Sequence, residues 1–364
     1  RGGEGLAILA DEKALDAGAL PSLVNLMALT GGGDHPGSAF FPLRRGSNPQ
    51  GARDLGVLPD LLPGYVPLGD PGAERFFKIW DSPLPSQPGH DTAAILSGAA
   101  SGEIQGLYIM GADVLTHFPD YRTARAAIEA ASLLIAQDLF LTETVQEADV
   151  VFPAAPFAET DGSFTNLEGR IQSSPPALEP WAESRSDSEI LVGVGEALGA
   201  ALGSADGAAV RTEIAQAVPA YSSVAGPLPE EGLTWTEGNV REWPMTPVRW
   251  PREHGEHTDG YALISDPMLF DAGTMTAETG LLAPLIPEPF VVIHPQDADS
   301  MGIRNGDRVA IDGADGSPSL AARVSSQVPV GAIHIPRNLP GIPLNRLAEL
   351  GDGADRLRLR RTDA

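Results

Sequence analysis

A parallel α/β sheet with flanking helices, followed by a small β-barrel, is the architecture this sequence predicts, and three observations lead to it. Between Asp91 and Pro153, apolar runs of strand length alternate with helix-like stretches, and parallel strands need such crossovers. From Tyr261 onward, short β-rich runs follow one another closely between Gly and Asp turns, the pattern of a small barrel. Between these regions, Ser204 to Pro251 shifts to Ala, Pro, Glu and Trp, a connection into a new domain. A chain of 364 residues suits two or three domains, since one core usually serves about 100 to 200 residues.

Taken in order, Leu6 to Ala10 reads as a buried strand, and Leu20 to Leu29 as a helix stopped by Gly31-Gly32-Gly33. A Pro- and Gly-rich connection is expected from there to about Pro88. Asp91 then caps a short helix over Ala93–Ala99, and Ile104–Met110 forms a strand ending at Gly111. A helix from Asp120 to Ala131 leads into a strand at Leu133–Ala136. Thr142-Glu-Thr144 starts a further helical piece, and Asp149–Phe152 is a third strand closed by Pro153. Three strands with two crossovers make a Rossmann-like sheet, whose ligands are expected at the strand C-terminal ends near Gly111, Asp138 and Pro153.

Ser186-Asp-Ser-Glu189 is a capping box opening a helix predicted to run through Leu202. It contains Gly193-Val-Gly195-Glu-Ala-Leu-Gly199, which follows no strand, so close helix packing explains these glycines better than a dinucleotide fingerprint. Another helix is expected over Gly207–Ala217. Tyr261–Ile264, Phe290–Ile293, Asp307–Ile311, Ser319–Val324 and Gly331–Ile335 are the barrel strands, with a short helix Pro295–Met301 stopped by Gly302.

Composition narrows the function. The formal charge of -25 would repel phosphate backbones and anionic membranes, so nucleic acid is not an expected partner. No apolar run reaches the roughly 20 residues of a membrane span. With zero cysteines, the segment holds no disulfide, thiolate zinc site, Cys-ligated iron–sulfur cluster or Cys nucleophile. Lys13 and Lys78 are the only lysines among 24 basic residues. The start at Arg1, followed directly by a strand, predicts a piece of something longer. Of seven histidines, only His254-Gly-Glu-His257 brings two together, in a loop that puts neither on a common helical face. No G-x-S-x-G elbow, P-loop or H-E-x-x-H is present.

The informative stretch is Gln137-Asp-Leu-Phe-Leu-Thr-Glu-Thr144, Ala148-Asp-Val-Val-Phe-Pro-Ala154 and Phe157-Ala-Glu-Thr-Asp-Gly-Ser-Phe-Thr-Asn166-Leu-Glu-Gly-Arg170. At a strand end, Asp138 could accept from a purine amino group and Thr142 could meet a ribose or phosphate. Equally, Glu159 to Gly162 reads as a turn, and Asn166 with Arg170 could pin the following loop through side-chain to backbone bonds.

These motifs, in this order, resemble the molybdopterin oxidoreductase superfamily. The resemblance extends upstream to Leu43-Arg-Arg-Gly-Ser-Asn-Pro-Gln-Gly51 with Asp54–Pro59. Downstream it extends to Ile293–Val309, which is similar to the family's C-terminal dinucleotide-binding domain, a double-psi β-barrel. It implies residues 1–60 as the remnant of an upstream α/β domain, 61–235 as the Rossmann-like domain and 236–364 as the barrel. Asn166-Leu-Glu-Gly-Arg170 resembles the C-terminal part of the large iron–sulfur subunit of respiratory NADH-quinone oxidoreductase, complex I. Arg44 and Gln50–Gly56 also resemble the catalytic subunit of formate dehydrogenase.

The resemblance implies roles residue by residue. Gly111 and Asp113 match a strand-end Gly-x-Asn turn, with Asp replacing Asn and putting a carboxylate where a cofactor phosphate would lie. Asp138, Thr142 and Asn166 match nucleotide-contacting positions, and Asn345 matches an Asn near the pterin. On the complex I form no cofactor is bound in this segment, no residue of it is catalytic, and iron–sulfur clusters lie only in an upstream part. The partners are then other subunits of a respiratory complex at the inner face of the cell membrane, on the cytoplasmic side. On the formate form, the cofactor is molybdopterin guanine dinucleotide with Mo or W.

Overall fold

The computed structural model describes residues 6–11, 19–30, 38–44, 46–234, 260–312, 319–342, 344–347 and 356–362. The chain divides into two compact units, Arg1–Asp91 with Ala154–Glu253, and Thr92–Pro153 with His254–Ala364. The His254/His257 pair, the Gly31–Gly33 stop and Pro343 lie outside the described residues.

The first unit opens with β1 (Ala7–Asp11), α1 (Ala19–Leu29) and β2 (Ala39–Leu43), where β1 and β2 pair in parallel. The expected connection from there to Pro88 proves to be structured. It holds β2, α2 (Pro49–Asp54), the small hairpin β3 (Leu61–Leu62) with β4 (Val66–Pro67), and α3 (Glu74–Trp80). Proline sits in the first turn of α2, where its missing N–H costs nothing. Pro49 there marks an element start, which a composition reading takes for loop.

The second unit begins with α4 (Thr92–Ala100), β5 (Gly106–Met110), α5 (Val114–His117), α6 (Tyr121–Ala130), β6 (Leu133–Asp138), α7 (Glu143–Gln146) and β7 (Val150–Pro153). Strands β5, β6 and β7 form the predicted three-stranded parallel sheet. Asp120 caps α6 through Thr123 N–H. Leu107 and Leu134 bury against Leu96, Ala124, Ala127 and Ile128 of α4 and α6. On the opposite face Tyr108 is 38% exposed.

The chain returns to the first unit with β8 (Gly162–Thr165) and β9 (Arg170–Ser174), an antiparallel hairpin, then α8 (Asp187–Ala197) and α9 (Gly207–Ala217), and finally β10 (Leu233–Thr234) pairs with β9. The capping box at Ser186 and Glu189 forms. The helix ends at Ala197 rather than Leu202, because Gly199 turns left-handed at φ +78° and stops the ladder. Gly195 is a packing glycine, since a Cβ there would stand 2.6 Å from Leu202 Cγ; Gly193 faces open space. The core of this unit joins Leu62, Phe76, Ile171, Val218, Tyr221 and Val224.

The second unit then closes its barrel. Strand β11 (Tyr261–Ile264) is followed by α10 (Thr274–Ala277), β12 (Phe290–Ile293), α11 (Pro295–Ser300), β13 (Arg308–Asp312), β14 (Ser319–Val324), β15 (Ala332–His334), α12 (Leu344–Leu347) and β16 (Arg356–Arg361). The order around the closed barrel is β11-β15-β12-β14-β13-β16. Pairs β11–β15 and β12–β14 are parallel and the other pairs antiparallel. Val291, Ile293, Val309, Ile311, Leu320, Ile333 and Leu357 fill it. Strand β16 has no counterpart among the predicted strands, although its Arg-Leu-Arg-Leu alternation places Leu357 in the core.

Candidate functional site

In the unit holding the parallel sheet, the predicted residues gather at the strand C-terminal ends. Gly111 follows β5 at φ +59°, donates its N–H to Gln137 O at 2.8 Å, and has no atom within 4 Å of where a Cβ would stand. Asp138 ends β6, and its Oδ1 accepts from the next N–H, that of Leu139, at 2.7 Å. Thr142 caps α7, accepting from Val145 N–H at 3.3 Å.

Asp113 is buried, and its carboxylate is engaged within the fold. Its Oδ1 accepts from Thr144 Oγ1 at 2.6 Å and Thr144 N–H at 3.2 Å, while Leu115 N–H donates to Thr144 Oγ1 at 3.1 Å. Burial opposes the charge, but hydrogen bonds from Thr116 and Thr144, with His117 nearby, outweigh it and hold the carboxyl below its usual range. Asp113 thus ties the turn after β5 to the start of α7.

Helix α12 of the barrel segment lies against these turns. Asn345 Nδ2 donates to Leu115 O at 2.8 Å and Phe118 O at 3.1 Å, and its buried Oδ1 has no partner among the described residues. Arg346, the next residue of the stretch that carries Asn345, was given no role in the sequence reading; it pairs with Glu143 and stacks 4.2 Å from the centroid of the Tyr121 ring. Its Nε is likewise buried without a partner among the described residues.

Asn166 belongs to the other unit, at the β8–β9 turn. Its Oδ1 accepts from the N–H groups of Glu168 at 2.9 Å and Arg170 at 3.0 Å, and Gly169 donates to its carbonyl at 3.0 Å. Gly169 has φ +77°, a region open to glycine at little cost. Asn166 thus pins the loop through its Oδ1 and its carbonyl. Replacing Asn166 with Ala is expected to cost about 1–2 kcal/mol, because two N–H groups lose their acceptor; a urea titration followed by tryptophan fluorescence checks it.

The same unit contains a buried polar cluster that sequence reasoning missed. Asp54, 2% exposed, accepts from Tyr65 Oη and Tyr221 Oη, each at 2.7 Å, and from Gln50 Nε2 at 2.8 Å. Thr165 Oγ1 stands 2.9 Å from Tyr221 Oη, and Thr165 N–H donates to Asn48 Oδ1 at 2.9 Å. A small cavity beside the cluster is lined by Asn48, Ser163, Thr165, Arg211 and Tyr221. The available signal was that Asn48, Gln50 and Asp54 fall within the upstream motif; Tyr221 carries no motif at all.

For a pterin dinucleotide, the residues fit in part. Gly111 leaves space, Asp138 keeps one oxygen with no hydrogen bond among the described residues, and Asn345 Oδ1 is an orphaned acceptor. Asp113 Oδ1 and Asn166 Oδ1 hold contacts of the fold, and Thr142 Oγ1 accepts within its cap. Among the described residues, no three His, Cys, Asp or Glu side chains group as a metal site, and no helix is long and apolar enough to cross a membrane.

Comparison with known proteins gives the same family twice. A family model described as molybdopterin oxidoreductase matches residues 13–197, and one described as molydopterin dinucleotide binding domain matches residues 261–358. The chain is 34% identical to the G 2 subunit of NADH-quinone oxidoreductase from Rhizobium meliloti (strain 1021), over 92% of this chain and 39% of that protein. It is 30% identical to NADPH-Fe(3+) oxidoreductase subunit alpha of Geobacter sulfurreducens, over 97% of this chain and 41% of that one. It is 32% identical to F420-dependent formate dehydrogenase 1 subunit alpha of Methanococcus maripaludis, over 86% of this chain and 50% of the relative. The chain thus spans half or less of the length of these relatives. Among solved structures, acetylene hydratase from Pelobacter acetylenicus shares the fold with TM-score 0.54 at 15% identity, over 80% of this chain and 49% of that one.

Proposed function

The chain belongs to the molybdopterin oxidoreductase family, and from that premise we propose that it is a segment of the large iron–sulfur subunit of a respiratory NADH-quinone oxidoreductase. In that role it is a scaffold of the peripheral arm, on the cytoplasmic side of the membrane. Electrons pass through clusters held upstream and in partner subunits, and no residue of this segment is catalytic. Within it, 61–235 serve as the Rossmann-like domain and 236–364 as the barrel, whose two parallel pairs among antiparallel ones suit double-psi topology.

The observation that carries this reading is where the strand-end polar groups go. Asp113 Oδ1, Thr142 Oγ1, Asn166 Oδ1 and Asn345 Nδ2 engage N–H and C=O groups of the fold itself, as in a scaffold that keeps its loops without a ligand. Gly169 at φ +77° supports the same choice, since the Asn-Leu-Glu-Gly-Arg turn is built around a glycine.

A second reading is a formate dehydrogenase-like catalytic subunit with molybdopterin guanine dinucleotide. It is favoured by the open space at Gly111, the uncommitted oxygen of Asp138 and the orphaned Oδ1 of Asn345. The bound group would supply two-electron chemistry at Mo or W; these residues would only bind and orient it. Elemental analysis of the full-length purified protein separates the two. The scaffold reading expects no stoichiometric molybdenum or tungsten and no formate oxidation, and one metal atom per chain would overturn it.

A further inference from the structure

In the unit that holds the barrel, the strap between β11 and β12 carries large apolar side chains on its outside. Leu269 and Leu281 are each 88% exposed, and Met275 and Leu285 are more than half exposed. A single leucine in water needs no explanation, but several along one short segment form a patch, and such patches mark contact surfaces.

The strap is held in shape. At its root the buried Asp271 accepts from Gly273 N–H at 2.8 Å and Asn338 Nδ2 at 3.3 Å, while Ala272 donates its N–H to Asn338 O at 2.7 Å. A Cβ on Gly273 would stand 2.7 Å from Asp271 Oδ1, so the glycine lets this root close. Helical turns follow, first α10 and then a 3₁₀ turn over Ala283–Leu285, joined by Leu282 N–H donating to Thr279 O at 3.0 Å. Met275, Leu282 and Leu285 recur along these turns at helical intervals, with Leu281 beside Leu282.

Charge decides what such a surface accepts. From Ser265 to Pro289 there is no Lys, Arg or His, and the ionisable residues are Asp266, Asp271, Glu278 and Glu288. Asp271 is engaged at the root, and Asp266 Oδ1 stands 2.6 Å from His334 Nε2. Glu278 and Glu288 are exposed, so the outward charge of the strap is acidic. Leucine and an adaptable methionine in acidic surroundings complement a helix with one apolar face and Lys or Arg on its flanks. An anionic lipid surface and a second copy of the chain are both disfavoured by the formal charge of -25.

We propose that the strap from Asp271 to Ile286 is a docking surface for a basic amphipathic helix of a partner subunit, which lays its apolar face on Met275, Leu281, Leu282 and Leu285. This deepens the scaffold reading and rests on it in one respect, that the chain works among partner subunits.

The test is calorimetric titration of the full chain with two synthetic Leu/Lys peptides of about 15 residues and equal composition. One has leucine at helical period, the other at every second position. At about 0.15 M salt, which screens distant charges, the helical-period peptide is expected to bind about tenfold more tightly or better. Combining Leu281→Ser with Leu285→Ser should weaken it about tenfold, while Val330→Ser, exposed on another loop, should leave affinity within about twofold. Equal affinities for the two peptides, or binding that survives the double substitution, overturns the proposal. Dimerisation of the chain in sedimentation, or flotation with phosphatidylcholine vesicles, assigns the surface to a second copy or to lipid if the double substitution abolishes it, and overturns the proposal too. Hydrogen exchange of the unsubstituted chain with the helical-period peptide needs no variant: protection is expected over residues 274–286, and protection only elsewhere overturns the proposal. None of these readouts depends on metal content, so failure here leaves the scaffold reading separately testable.

Discussion

Replacing Ile333 with Ala is expected to destabilise the barrel by about 3–4 kcal/mol, within the range measured for large-to-small changes in packed cores. Ile333 is 0% exposed, lies on β15 between β11 and β12, and packs in the cluster with Ile293, Ile311 and Leu320. Because barrel strands are paired on both sides, the surroundings cannot collapse into the space by sliding an edge strand, so most of the cavity persists. Hydrogen exchange at the amides of β12 and β15, where Ile293 pairs with Ile333, checks it. The exchange free energy should fall by the stated amount, while Val330→Ala, 56% exposed, should change it by less than about 0.5 kcal/mol. Equal effects of the two substitutions would mean that Ile333 is not part of a close-packed interior.

The barrel was legible in advance because its β-rich runs are short and closely spaced between Gly and Asp turns. Phe290–Ile293 and Ser319–Val324 were bounded to the residue, and the parallel sheet was found from its apolar runs and its polar strand ends. What escaped had a local signal pointing elsewhere. Strand β2 carries Pro42 within a Gly- and Pro-rich stretch, and β16 is mostly arginine. Helix α8 shows the limit of periodicity, since its apolar pattern continues past the glycine that stops it.

Sites divide along the same line. Gly111, Asp113, Asp138, Thr142, Asn166 and Asn345 were identified through ordered motifs, but a motif names a residue without saying which way its side chain turns. Only the folded chain brings Asp113 to Thr144, 31 positions away in sequence. Arg346 and Tyr221 were invisible because their partners, Glu143 and Asp54, are 203 and 167 positions distant. Contacts of that range leave no spacing to read.

The Asp54 cluster yields the other large expected effect, and its pH dependence gives a second check. Asp54→Ala should cost the first unit about 3–5 kcal/mol, since two tyrosine hydroxyls and the Gln50 amide lose their acceptor in an interior that water does not reach. Asp54→Asn keeps the shape and one acceptor oxygen, and should cost less. Burial pushes the Asp54 carboxyl above its usual range, with hydrogen bonds from Tyr221, Tyr65 and Gln50 offsetting only part of that. A carboxyl whose folded pKa is raised binds its proton more tightly when folded. Its contribution is therefore fully present below the unfolded value of about 3.9 and is lost as pH rises through the folded value. Asp113, in the other unit, is lowered and has the opposite sign: its contribution is present above the unfolded value and is lost as pH falls through the folded one. Trp80 and Trp181 fall in the first unit, so fluorescence-detected urea titrations report on the Asp54 side. With rising pH above about 4, the unsubstituted chain should show a falling Asp54 contribution, and Asp54→Asn should remove that slope. A slope identical in Asp54→Asn would show that the carboxyl ionises at its ordinary pKa despite its burial, and the cluster would then be a hydrogen-bonded joint with no part in the pH response.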